Sequence, residues 1–390
     1  MGMTESSAQG SLLIHSARLV NDGHIADDAW VLIEDGLVAE LGIGADRPDA
    51  DTVVDATEVA GPGAILTPGF IDIHGHGGAG ATFDDGIAAI RTGRDMHRSH
   101  GTTRAVISLV TGSLDSLAAR VGEIADLRET DVDILGSHLE GPFLDPGHKG
   151  AHDPELLREP TSGDVQRLLD AGRGTVRQMT IAPELPGGLD AVRVVVASGA
   201  AAAIGHTDAD DDTVRAAIDA GASILTHAFN AMRPIHHREP GPVLTAAADR
   251  RVTIEAIVDN IHLHPSVTKL IFDEAPGRVA LITDSMAAAG SVDGEYSLGG
   301  LHVTVLDGVA RVDSGSIAGS TLTQDAALRN AVAAGATLSE AVRALTETPA
   351  AAIGFDEELG ALRPGMLGDA VLLDAELRVV RVWTGARTAR

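Results

Sequence analysis

The sequence contains no cysteine, which excludes disulfides, thiolate metal sites and cysteine nucleophiles. Aromatic residues make up 2% of its 390 positions, so Ala, Val, Leu and Ile must do the packing within a hydrophobic share of 44%. Lysine occurs only as Lys149 and Lys269. Against 29 basic residues stand 56 acidic ones, a formal net charge of −27. That charge argues against nucleic acid or an anionic membrane as a partner, because both would repel the chain. It also requires local positive charge wherever an anion is to be held. No apolar run reaches the ~18 residues that suggest a membrane-spanning helix. The N-terminus, MGMTESSAQGSLLIHSARLV, lacks the basic start and apolar stretch of a signal peptide. A cytoplasmic protein is expected.

At about 150 residues per domain the length suggests two or three domains, although one α/β barrel with insertions absorbs most of it. Residues 11–66 read as short strands. Trp30–Glu34 and Leu37–Leu41 flank the turn pair Asp35-Gly36, a strong hairpin signal. Near the other end, DAVLLDAELRVVRVW holds two β-rich runs around Asp374–Glu376. The pattern predicts that residues 1–66 and 355–390 pair into one small β-sandwich domain. Over residues 67–354, short apolar runs alternate with amphipathic helical stretches. The runs are ILTPGFIDIHG, TRAVISLV, VDILGSHLEG, VRQMTIAPE, AAAIGHT, SILTHAFN, VTIEAIVDN and RVALITDSM. Eight β-α units over roughly 250 residues predict an α/β fold, a (β/α)8 TIM barrel. DGEYSLGGLHVTVLDGVARV, with its Asp307-Gly308 turn, predicts a hairpin inserted after the eighth strand.

In such a barrel the active site lies at the C-terminal ends of the strands. Strand one ends in Asp72-Ile73-His74-Gly75-His76, and two residues apart on a strand put both imidazoles on one side. Strand three ends in His138-Leu139-Glu140, strand five in Gly205-His206-Thr207, strand six in Thr226-His227 and strand eight in Thr283-Asp284. This nitrogen and oxygen set suits Zn²⁺ first, and also Fe²⁺, Mn²⁺ or Co²⁺. A single histidine at a strand end is more often a core group than a ligand. Four of them with Glu140 and Asp284, all at the same end of their strands, point to a metal. His138 is expected behind the ligands. His15, His24, His97, His100, His264 and His302 read as structural or solvated, and Met232 and Met286 as packing. No Gly-x-Ser-x-Gly element occurs, so serine nucleophilic catalysis has no support.

The His-X-His of strand one, the two later histidines and the strand-eight aspartate resemble the amidohydrolase superfamily. LEGPF, KGAH, GHTDA, THAFNAM, REPG, TDSMAAAG and AGSTLTQDAALRN further resemble the N-acetylglucosamine-6-phosphate deacetylase family, from about Pro68 to Gly365. LRPGMLGDAVLLD is generic to the superfamily. The resemblance implies a metal-dependent hydrolase that removes the acetyl group from N-acetyl-D-glucosamine 6-phosphate, yielding D-glucosamine 6-phosphate and acetate, in amino-sugar catabolism or cell-wall recycling. Many superfamily members bridge two metals with a carboxylated lysine on strand four. Lys149 falls in a loop and Lys269 in a helix, so Glu140 takes the bridging or shared role, as the resemblance also implies.

One or two ions per chain are expected: a tight one on Glu140, His206 and His227, and a weaker one on His74 and His76, with Glu140 shared. A metal ion acidifies water and polarises the acetamide carbonyl. Asp284 is the expected acid–base group, taking a proton from water and passing it to the departing amine. His152 is the candidate donor to the carbonyl oxygen, or a sugar-hydroxyl contact. By resemblance, Ala151, His152, Asn230, Ala231, Arg238 and His262 contact the sugar phosphate, with backbone from Ile317, Ala318, Gly319 and Ser320. Arg238 and His262, near His236 and His237, are the expected cations for the phosphate; the alternative for Arg238 is a surface ion pair with Glu239. In this family such an arginine can reach a neighbouring subunit's site, so a homodimer is expected. Asn260 departs from the glycine usual in relatives, and its side chain is expected to narrow the loop before His262. Alternatives are a deacetylase for another N-acetylhexosamine 6-phosphate, another amidohydrolase such as an aminoacylase, or a catalytically inactive barrel scaffold.

Overall fold

The computed structural model describes residues 3–6 and 10–385, and the remaining positions of the two terminal segments lie outside the described residues. Eight parallel strands follow one another around the barrel: Phe70–Asp72, Thr102–Leu109, Ile134–Glu140, Val176–Ile181, Ala201–Ile204, Ile224–Leu225, Thr253–Ile257 and Val279–Ile282. They coincide with the eight apolar runs. Nearly every position in them is buried, because side chains fill the barrel on one face and helices cover the other. Helices Ile87–Ser99, Leu114–Thr130, Asp211–Asp219 and Pro265–Glu274 stand where the helical periodicity places them. Ser113, Asp210 and His264 cap three of these with side-chain acceptors, which gives His264 a structural role.

The strand ladder runs from the first strand to the eighth, and the seam between those two is sewn differently. The Asp284 N–H donates to His74 O at 2.8 Å and the His76 N–H to Ser285 O at 2.7 Å. Below them, the side-chain amide of Gln324 donates to both Ile71 O and Leu281 O, each at 3.2 Å. The Thr283 hydroxyl donates to Asp72 Oδ2 at 2.6 Å across the same seam. These bonds set the exit direction of three candidate site residues.

The insertion after the eighth strand has three strands, Gly294–Leu298, Leu301–Leu306 and Val309–Val312, one more than the expected hairpin. Gly299-Gly300 makes a second left-handed turn besides Asp307-Gly308. Leu298, Val303 and Val305 of this sheet pack on Val110, Met286 and Ala288 at the barrel mouth.

The terminal strands form one eight-stranded sheet, in which Ile65–Pro68 pairs with both Ser11–Asn21 and Ala370–Leu373. At Ser16 the backbone turns left-handed (φ 59°) and the sheet branches. Before this point the long strand pairs with Thr52–Asp55, and after it with Ile65–Pro68. Ile14, Val31, Val54, Leu66, Leu372 and Trp383 share one core, so the branched sheet closes over itself as a sandwich. Asp35 and Gly36 both have positive φ (48° and 79°), as the hairpin turn read from the sequence requires. Arg104, buried on the second barrel strand, holds this domain to the barrel. It donates to both oxygens of Asp369, at 2.6 and 2.8 Å, and to Gly385 O at 2.7 Å. Among the described residues no helix is long and apolar enough to cross a membrane.

Candidate active site

Six buried side chains from five strand ends meet at the barrel mouth: His74, His76, Glu140, His206, His227 and Asp284. Glu140 is the hub. Its Oε1 lies 3.0 Å from His227 Nε2, 3.2 Å from His206 Nε2 and 3.3 Å from His74 Nε2. Its Oε2 lies 3.0 Å from His76 Nε2 and 3.6 Å from His152 Nε2. Asp284 Oδ1 stands 3.3 Å from His76 and 3.6 Å from His74. The strand-one pair is thus split between the two oxygens of Glu140, a finer division than the sequence suggested. His206, His227 and Asp284 all have positive φ (48°, 25° and 45°). Such strain in non-glycine residues persists only where surroundings over-determine it, and it gathers at functional sites.

Hydrogen bonding alone does not account for this cluster. His206 Nδ1 faces the His148 carbonyl at 2.9 Å, and a carbonyl only accepts, so the ring proton sits on Nδ1. In the neutral ring Nε2 is then a lone pair, aimed at another acceptor, Glu140 Oε1. His74 repeats the arrangement, with Nδ1 against Glu255 Oε2 at 3.0 Å and Nε2 against Glu140 Oε1 at 3.3 Å. Acceptor facing acceptor at these distances needs a proton or a cation between them. Donor separations of 3.0 to 3.3 Å match the edge of a tetrahedron with bonds of about 2.0 Å. The donor set therefore fits a divalent ion: His74, His76, Glu140 and Asp284 bring nitrogen and oxygen atoms within 4.8 Å of one another, as do Glu140, His152 and His206.

Without an ion, protons neutralise the same carboxylates. Burial opposes charging of His76, but Asp284 and Glu140 hold its proton up to about 9, and Glu140 with Glu255 and Asp284 raises His74 well above the usual imidazole range. Burial likewise opposes ionisation of Glu140, yet the surrounding histidines hold its carboxyl well below the usual carboxylate range. His206 goes the other way, pushed down to about 4 by burial. His138 is behind the cluster, with its nitrogens on Ser108 Oγ and Thr180 Oγ1, each at 2.9 Å.

A cavity of about 370 Å³ opens over these groups, lined further by Ala151, His152, Asn230, Ala231, His262, Ile317 and Gly319. His152 Nδ1 is held by Thr111 Oγ1 at 2.8 Å. His262 is fixed by Asp259, whose Oδ2 lies 2.7 Å from Nδ1 and whose Oδ1 accepts from the His262 N–H. Asn260 has a φ of 64° and an exposed side chain, so it turns the chain instead of narrowing the loop. Among non-glycine residues asparagine tolerates that conformation best, which explains the departure.

Three expected substrate contacts fall outside the cavity lining. Ala318 is buried in the insertion's core with its N–H on Ala310 O. Ser320 has its N–H on Asp284 O and its hydroxyl on Thr283 O. Arg238 is exposed on a loop, against His237 at 2.8 Å, and borders a separate depression with Asp210, Asp211 and Asp212. The neighbour it meets is His237, whereas Glu239 lies against Arg233. Charge alone could not tell which way that loop points. Two residues beneath the site, Glu255 and Gln178, are not among those the sequence singles out. Each is a polar side chain inside an otherwise apolar strand, and that was the available signal.

The sequence model of the amidohydrolase family matches residues 65–387. An N-acetylgalactosamine-6-phosphate deacetylase of Escherichia coli O157:H7 is 37% identical over 97% of this chain and 99% of its own length. An N-acetylglucosamine-6-phosphate deacetylase of Bacillus subtilis is 32% identical over 95% of each chain. The structure of a variant N-acetyl-D-glucosamine-6-phosphate deacetylase from Mycobacterium smegmatis, in complex with N-acetyl-D-glucosamine-6-phosphate, is 41% identical. It superposes with a TM-score of 0.90, covering 95% of this chain and 97% of that one. With the match spanning the whole barrel and the strands that close the β domain, the chain belongs to the amidohydrolase family.

Proposed function

We propose that this chain hydrolyses the acetamide of N-acetyl-D-glucosamine 6-phosphate to D-glucosamine 6-phosphate and acetate. The observation that carries the reading is the joint presence of the Glu140-centred donor cluster and Asp284 on one cavity, in a chain matched nearly end to end by hexosamine 6-phosphate deacetylases. Glu140, His206 and His227 would hold one divalent ion, Zn²⁺ first, and His74 and His76 a second, with Glu140 shared. When bound, such an ion polarises the scissile carbonyl and makes water acidic enough to react near neutral pH. Asp284 accepts the proton as the water oxygen bonds to the carbonyl carbon, and delivers it to nitrogen as the C–N bond breaks. His152 has Nδ1 on Thr111, which leaves Nε2 to donate to the carbonyl oxygen. Ala151, Asn230, Ala231, Ile317 and Gly319 shape the sugar site.

The phosphate sets the assembly. Among the described residues no arginine or lysine lines the cavity, and His262 is its candidate phosphate contact. A dianion on a chain of charge −27 calls for a further cation. Arg238, exposed outside its own cavity, supplies one if it reaches the site of a second copy, so the working unit is a homodimer. A phosphorylated sugar as substrate implies action in the cytoplasm. A second reading, the galactosamine epimer as preferred substrate, is favoured by the 37% identical relative of that name. Acetate release from both N-acetylhexosamine 6-phosphates and from unphosphorylated N-acetylglucosamine, with and without chelator, tests the reading. Chelator-sensitive turnover with the larger kcat/KM for the glucosamine compound supports it. The reverse preference selects the epimer, and no acetate from either phosphate by metal-replete protein rejects both.

A further inference from the structure

Beneath the donor cluster lies a carboxylate that takes no part in the proposed proton transfers. Glu255, in the middle of the seventh barrel strand, is fully buried. Its only ion-pair partner among the described residues is His74. A buried carboxylate without arginine or lysine is costly unless hydrogen bonds compensate, and here three do. Oε1 accepts from Gln178 Nε2 at 2.7 Å. Oε2 lies 3.0 Å from His74 Nδ1 and accepts from the backbone N–H of His227 at 3.3 Å. One oxygen therefore touches a candidate ligand from the first strand and another from the sixth.

We propose that Glu255, aligned by Gln178, is the positioning residue of the metal centre. Because a carboxylate only accepts, it keeps the proton of His74 on Nδ1 and turns the Nε2 lone pair toward His76 and Glu140. The same oxygen holds the N–H of His227 while that residue's backbone is left-handed, which aims its ring at Glu140 Oε1. Carboxylates placed behind ligating histidines raise ligand basicity, and losing one typically weakens metal binding about 10- to 100-fold. The amide of Gln178 leaves its Oε1 buried and without a partner. Glu255→Gln can therefore keep every bond: the new amide oxygen serves His74 and His227, and its NH₂ meets the Gln178 oxygen after that amide flips. Only the charge is lost.

The test is zinc titration of chelator-stripped wild type, Glu255→Gln and Glu255→Leu, with Tm of each metal-free protein as control. Expected for Glu255→Gln are unchanged stoichiometry, a metal-free protein that still unfolds cooperatively and a zinc Kd roughly 10- to 100-fold higher. Glu255→Leu, where it folds, should lose the position that uses His74. The Gln variant decides alone if the Leu variant does not fold. A Glu255→Gln Kd within twofold of wild type overturns the assignment, as does a Kd change accompanied by loss of cooperative unfolding in the metal-free protein. The inference rests on the metal-centre part of the proposed function and not on the substrate. A wild type that takes up no zinc would fail that reading itself, whereas normal uptake with an unshifted Gln variant fails only this one.

Discussion

At the scale of single residues, Asp284 and Glu140 separate the chemistry from the binding of metal. Asp284 has a left-handed backbone, a conformation asparagine also tolerates, so Asp284→Asn keeps the seam bond to His74 O and removes only the proton acceptor. Turnover should fall at least about 100-fold, the lower end of general acid–base catalysis, with metal content nearly unchanged. Wild-type turnover in that variant, measured with metal content alongside, would take the acid–base role from Asp284. Glu140 differs because both its oxygens face imidazoles. Glu140→Gln should abolish activity together with most of the bound metal, and elemental analysis of the purified variant checks it. These side chains were legible in the sequence because each ends a strand, where barrel geometry turns it into the mouth. Glu255 was not. Its strand reads as apolar, and whether one glutamate in it faces the barrel interior depends on register.

At the scale of elements, the helix Gln324–Ala334 has two duties at its first turn. Gln324 sews the seam, and Asp325 joins three neighbours: His100 at 3.0 Å, Thr323 Oγ1 at 2.6 Å and Arg329 at 2.9 Å. Burial works against the charged form of Asp325, but these partners win and lower its carboxyl to about 2. A carboxyl depressed on folding stabilises above its unfolded value near 3.9 and loses that contribution as pH falls toward 2. Asp325→Asn should therefore lower stability by about 2 kcal/mol at neutral pH. The gap in Tm between variant and wild type should narrow as pH falls below about 4. A gap independent of pH would remove Asp325 from this role. The eight strands were readable because short buried runs bounded by turn residues leave little else for them to be. The third strand of the insertion is the exception: Gly299-Gly300 is itself a favoured hairpin turn pair, so a second turn was legible there beside Asp307-Gly308.

At the scale of the whole molecule, net charge and assembly meet in Arg238. If it acts in a neighbour's site, Arg238→Ala should cut kcat/KM for the phosphorylated sugar roughly 10- to 150-fold, the value of one charged hydrogen bond. It should barely change turnover of the unphosphorylated sugar. Co-expression with Asp284→Asn then distinguishes the two geometries. A mixed dimer built across subunits regains one site with both residues intact, whereas a site built within one subunit regains none. Recovery of activity only in the mixture supports the shared site, and no recovery places Arg238 with its own chain. The barrel was legible at this scale and the loop bearing Arg238 was not, because one chain carries no record of what its surface faces.

The branched sheet has a bearing on the order in which the molecule is made. Ile65–Pro68 finds its second partner in Ala370–Leu373, about 300 residues later. At ribosomal speeds of about 5–20 residues per second that edge stays open for roughly 15–60 s, while every barrel strand emerges. An unpaired edge invites pairing with other chains, so newborn copies are at risk until the last strands arrive. Of the two tryptophans, Trp383 is buried in the core that this late strand closes, whereas Trp30 packs with Leu13 and Leu32 in a separate small cluster of the same domain. Tryptophan emission during refolding will therefore report closure of the terminal domain and stay silent about the barrel, which circular dichroism can follow separately.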